Sequence, residues 1–160
     1  VKLSKLTEEE LTNGLVSLQT GRDVNLYFLQ GHGEIALEEN KTATVLSGSR
    51  AAVENLAWLK AQLERSRVRV ATLDLAGRGN KIPVDASVIV IAGPRADLST
   101  AEREALRQYL ERGGPGGTGG KLMVLLDALI PVGGVPGAPF RNLFELCEGF
   151  GVSISSEMVL

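Results

Sequence analysis

The chain has 160 residues, 44% of them apolar and 22% charged, with a formal net charge of −2. That length and balance fit one globular domain with one hydrophobic core and argue against disorder. The charge excludes nucleic acid as an expected partner, because phosphate binding needs a surplus of Lys and Arg on one face. One cysteine, Cys147, and one histidine, His32, exclude an internal disulfide and a Cys/His zinc site.

Thr7-Glu8-Glu9-Glu10 reads as a capping box opening a helix with Leu11, Leu15 and Leu18 on one stripe. Gly21 is its expected stop. Val24 to Leu29 is a strand, apolar at nearly every position after Asn25, as in a parallel sheet buried on both faces. Residues 35–48 read as a polar connection without a period. A helix is expected from about Ser49 to Ser66, with Ala52, Leu56, Leu59 and Leu63 as its buried stripe. Val68 to Leu75 is the second strand, followed by a loop at Gly77-Arg78-Gly79-Asn80. Val88 to Ala92 is β-branched and continuous, which predicts a central third strand closed by Gly93-Pro94.

Ser99-Thr100-Ala101-Glu102 is a second capping box, opening a helix to about Arg112 with Gly113 beyond its end. Gly113 to Gly120 reads as a flexible connection. It follows a helix and precedes a strand, the reverse of a phosphate-binding loop, and Leu122 stands where that motif needs Ser or Thr. Lys121 to Leu126 is the fourth strand, with Asp127 at its end. A helix starting at Pro139 or Phe140 carries Leu143, Leu146 and Cys147, and Val152 to Leu160 suggests one or two further strands.

Strands alternating with amphipathic helices predict an α/β fold, flavodoxin-like and doubly wound, with a mostly parallel sheet and helices on both faces. In such folds a ligand site lies beyond the carboxyl ends of the strands, where the strand order reverses. That edge would bring Gly31-His32-Gly33-Glu34 near Gly93-Pro94-Arg95, with Asp127 on the next strand; these eight residues are the candidate ligand-binding set. His32 can move a proton near neutral pH. Glu34 is a base or hydrogen-bond acceptor, and Arg95 could hold an anion.

No catalytic residue is assigned. Cys147 sits among apolar residues at helical spacing, as a core thiol does. No Gly-x-Ser-x-Gly occurs. Gly31-x-Gly33-x-x-Ala36 fits the loose dinucleotide fingerprint, but no helix follows it directly. The next strand-end acid, Asp74, comes 38 residues after Ala36 rather than about 20. No cofactor and no metal are therefore expected. Trp58 points roughly 140° from the buried stripe of its helix at ~100° per residue, a candidate interface anchor.

Together, Leu11-Thr12-Asn13-Gly14-Leu15, Val24 to Glu34, Val88 to Pro94, Leu98-Ser99-x-x-Glu102, Tyr109 to Gly114 and Lys121 to Asp127 resemble uncharacterised ABC-type transport-system auxiliary components. That family includes the gliding-motility auxiliary proteins. The resemblance implies a domain related to class I glutamine amidotransferase-like folds without their catalytic Cys. It implies a position on the extracytoplasmic, periplasmic face of the inner membrane, tethered to a membrane-anchored polypeptide of which this chain is an excised part. The expected role is a non-enzymatic interaction domain whose partners are ABC permease and ATPase subunits or another copy of itself. The alternative is a small-molecule site, for a sugar or nucleotide or a weak hydrolysis, at the carboxyl edge of the sheet. Residues 115–120 depart from the family pattern as an insertion.

Overall fold

The computed structural model describes residues 24–38, 56–114, 116–117, 119–126 and 140–154. Four strands pair in parallel: β1 (Val24–Leu29), β2 (Val68–Leu73), β3 (Val88–Ala92) and β4 (Leu122–Leu125), in the spatial order β2-β1-β3-β4. Three helices accompany them: α1 (Ala57–Arg65), α2 (Thr100–Arg112) and α3 (Arg141–Gly149). The expected α/β class with a parallel sheet is present.

The continuous apolar run of β3 follows from its central place. Successive side chains of a strand point to opposite faces, and here both faces are covered. Ile89 and Ile91 join Leu29, Leu73, Leu106, Tyr109, Leu143 and Leu146 in one buried cluster, built between the sheet and the helices α2 and α3. On the other face Phe28, Val90, Ala92 and Leu37 are buried, with Leu56, Leu59 and Leu63 of the α1 segment packed against them. The edge strands differ: β2 exposes Arg69, Ala71 and Thr72, and β4 exposes Met123 and Leu125.

Local signals account for the helix boundaries. Ser99 caps α2 by accepting the Glu102 N–H at 3.2 Å, while the Glu102 carboxylate accepts the Ser99 N–H at 2.8 Å, so both halves of the capping box are made. In α1 the expected stripe faces inward, and the part of that helix expected over residues 49–55 lies outside the described residues. So do the capped helix expected from Thr7, Asp127, and the loop before Phe140.

Three expectations need correction. Residues 35–38 are not simply a polar connection: Leu37 is buried against Phe28 and Val90, and Ala36 accepts the Leu56 N–H at 2.8 Å. Residues 152–154 carry no strand, and the remainder of that expected segment lies outside the described residues. The glycine run after α2 is more than a flexible connection. Gly113 and Gly120 both donate their N–H groups to the Tyr109 carbonyl at 2.8 Å. A Cβ on Gly120 would lie 2.2 Å from the Tyr109 ring, so only glycine lets the chain pass under it. The Tyr109 hydroxyl donates to the Ala86 carbonyl and accepts the Lys121 N–H, both at 3.2 Å, tying α2 to the starts of β3 and β4.

Candidate functional site

The exit loop of β1 and the loop between β3 and α2 meet at the carboxyl edge of the sheet. The His32 carbonyl accepts N–H bonds from Arg95 at 2.8 Å and Ala96 at 2.9 Å, and the Ile35 N–H donates to the Ala92 carbonyl at 2.9 Å. Gly33 has φ +77°, and a Cβ there would come within 3.1 Å of the Arg95 side chain. Glycine is thus required both for the backbone angle and for the approach. Of the eight candidate residues, Gly31, His32, Gly33, Glu34, Gly93, Pro94 and Arg95 gather along this edge; Asp127 lies outside the described residues.

His32 does not face an open cleft. Its Nδ1 lies 3.1 Å from Glu34 Oε1, and its Nε2 lies 3.1 Å from Glu102 Oε2. The His32 backbone N–H donates to the second oxygen of Glu34 at 2.7 Å. The three side chains are 11%, 0% and 5% exposed for His32, Glu34 and Glu102. Burial pushes the imidazole pKa down, but hydrogen bonding and charge from Glu102, then from Glu34, outweigh it, and the pKa ends above its ordinary 6.5. Burial likewise pushes the Glu102 carboxyl up. Its bonds from Ser99 and the charge and hydrogen bond of His32 pull harder, leaving it below the ordinary 4.5. The imidazole thus lies largely buried between the carboxyl group of Glu34 on its own loop and that of Glu102 on α2.

Sequence reading placed Glu102 in the helix cap but did not see its bond to His32, which spans 70 positions. It also missed Asp97. The Asp97 carboxylate accepts the Asn142 N–H at 2.8 Å and the Leu143 N–H at 3.2 Å. Those are N–H groups in the first turn of α3, whose own N-cap, Phe140, has no capping side chain. Asn142 returns a bond from its side chain to the Leu98 carbonyl at 2.7 Å. The loop 93–99 therefore anchors three elements: the β1 exit, α2 and α3.

The remaining candidates sit elsewhere. Trp58 is 74% exposed on the outer face of α1, as its helical angle predicts. Cys147 of α3 packs against the Leu29 cluster, and burial pushes its thiol pKa up, away from nucleophilic character. A groove of about 700 Å³ runs between Asn80–Val84 and the second half of α2. A second, apolar and about 500 Å³, lies between β4, Leu146 and Phe150. Neither is lined by His32 or Glu34.

Fold and site together define a parallel-sheet α/β domain whose β1 exit is closed by a histidine held between two glutamates. Comparisons with protein-family profiles, with curated proteins and with solved structures find no match for this chain. Among the described residues no helix is long and apolar enough to cross a membrane.

Proposed function

We propose that this domain is a non-enzymatic interaction module, of the flavodoxin-like kind, that docks through the outer face of α1. One observation carries the reading: Trp58, the chain's sole tryptophan, stands 74% exposed on the helix face of the exposed Ala61, Gln62 and Arg65 rather than in either core. A large rigid indole left in water has an apolar cost, and indoles are the most frequent anchors of protein interfaces. The engagement of both His32 nitrogens by glutamates favours this reading over a ligand or hydrolytic site built on that histidine. The strand order β2-β1-β3-β4 supports the flavodoxin-like assignment, whose sheets place their second strand at one edge and β1 beside β3.

With the family resemblance, the reading extends to an auxiliary component of an ABC-type transport system on the periplasmic face of the inner membrane. The partners are then the permease and ATPase subunits or a second copy of the chain. The test is Trp58→Ala. The variant should keep the wild-type unfolding midpoint, because the side chain packs in no core, yet lose capture of the permease subunit and any concentration-dependent self-association. Wild-type association, followed through the single indole, should move its emission to shorter wavelength as water leaves the ring. Association equal to wild type in Trp58→Ala, or emission unchanged in the complex, overturns the proposal.

A further inference from the structure

We propose that Glu34, His32 and Glu102 form a pH-operated latch: it clamps the β1 exit loop to the start of α2 while the imidazole is doubly protonated and frees the loop when it is singly protonated. The latch stands apart from any docking at Trp58. A carboxylate oxygen only accepts hydrogen bonds, and each ring nitrogen of His32 faces one at 3.1 Å. Imidazolium donates from both nitrogens and satisfies both partners. Neutral imidazole has one N–H and one lone pair, so one of the two contacts becomes lone pair against carboxylate. Flipping the ring exchanges the nitrogens and leaves the same deficit.

Neither glutamate can relieve it. Glu102 Oε2 already accepts the Ser99 N–H at 2.8 Å, and Glu34 Oε2 accepts the His32 N–H at 2.7 Å, so both carboxylates are held in place by donors. Water has little access, with the three side chains 11% exposed or less. When the proton leaves His32 for solvent, a buried carboxylate loses its donor, a situation more costly than either partner exposed.

The charged groups that act on the ring, among the described residues, are these two glutamates; the nearest loop also carries Arg95 and Asp97. Arg95 lies over Gly33 on the loop that follows β3 and is exposed. Asp97 on the same loop is turned to the first turn of α3. The charge of the ring and its two glutamates thus changes from −1 to −2 on opening. The loop that is freed carries the His32 carbonyl, which holds the Arg95 and Ala96 N–H groups. Their protection from exchange reports whether the latch is shut.

The sign follows from the two carboxylate partners. A histidine held above its ordinary 6.5 contributes fully below that pH and loses its contribution as pH rises through the folded value. Glu102, held below 4.5, contributes above that pH and fails only as pH falls through its own folded value. The latch is tightest between about 4.5 and 6.5 and opens on the alkaline side.

Because His32 is the only histidine, a single imidazole titrates in the NMR spectrum of the whole chain. Its midpoint should exceed 6.5. Across it, the exchange protection of the Arg95 and Ala96 amides, corrected for the intrinsic rate, should fall tenfold for each pH unit separating the folded and unfolded midpoints. In Glu34→Gln the side-chain oxygen still accepts the His32 N–H while its NH₂, in the place of Oε1, donates to the lone pair of neutral imidazole at Nδ1. The midpoint should then drop and the pH dependence of protection should vanish. Glu102→Gln keeps one oxygen for both the Ser99 N–H and His32 Nε2 but removes a charge that holds the proton on the ring, so its midpoint should also drop, which serves if the first variant does not fold. A wild-type midpoint at or below 6.5 overturns the latch, as does pH-dependent protection that survives in folded Glu34→Gln or a midpoint in folded Glu102→Gln equal to that of wild type.

Discussion

Replacing Asp97 with alanine removes a cap that the helix it serves cannot provide for itself. Helix α3 is nine residues long, below the roughly 12–15 residues at which a helix holds without tertiary help. Its N-cap residue, Phe140, makes no side-chain bond, and the two first-turn N–H groups of Asn142 and Leu143 are taken by Asp97 from 45 and 46 positions away. Deleting an ordinary capping side chain costs about 0.5–2 kcal/mol, and a negative charge at the helix start adds about 0.3–1 kcal/mol. The site is partly buried, so water replaces the acceptor only in part. Asp97→Ala should therefore lose about 2 kcal/mol of stability, and Asp97→Asn, which keeps one acceptor oxygen but no charge, about 1 kcal/mol. At about 2–4 °C per kcal/mol for a domain of this size, the alanine variant should melt about 4–8 °C lower. Urea unfolding should show a lower midpoint with an unchanged slope, since the same surface is exposed in the end. Exchange at the Asn142 and Leu143 amides should accelerate more than exchange in β3. An Asp97→Ala variant within about 0.5 kcal/mol of wild type, inside the range of ordinary surface substitutions, would refute the claim that this carboxylate holds α3.

Two further substitutions probe the core beneath that edge. Gly120→Ala sets a methyl 2.2–2.5 Å from the Tyr109 ring, whose hydroxyl is bound at both ends, so overpacking of about 1–3 kcal/mol should appear in urea titration. A neutral outcome would mean that the chain at 119–121 moves aside freely. Leu106→Ala empties a position that is 0% exposed between α2 and the sheet and should cost about 2–5 kcal/mol by the same measurement, while leaving Trp58 emission unchanged in the folded protein. A smaller loss would show that α3 closes over the cavity.

What was legible in the sequence is what short-range chemistry specifies. β1 and β3 could be bounded to the residue because continuous apolar runs ended by Gly31 and by Gly93-Pro94 admit few other readings. The α2 start was legible because Ser99 and Glu102 recognise each other three positions apart. Trp58 could be placed outward because a helical angle needs only the helix. Two of the failures concern residues whose place is set by a contact that local sequence does not show. Leu37 is a lone leucine in a polar run until Phe28 and Val90 cover it. Gly120 looks like slack in a glycine-rich stretch until the Tyr109 ring lies over it.

Glu102 shows the difficulty best, because its local role is a sufficient explanation. A capping-box glutamate is accounted for by Ser99 alone, so no residue count prompts a search for a second partner. Yet the same oxygen that accepts the Ser99 N–H also meets His32 Nε2. The one residue that composition marks as reactive is thereby held on both sides, by a carboxylate two positions away and by another that the cap had already oriented. A histidine placed at a ligand edge by topology becomes, through those two bonds, the fastening of that edge. In the latch proposed above, its proton governs whether two loops stay together.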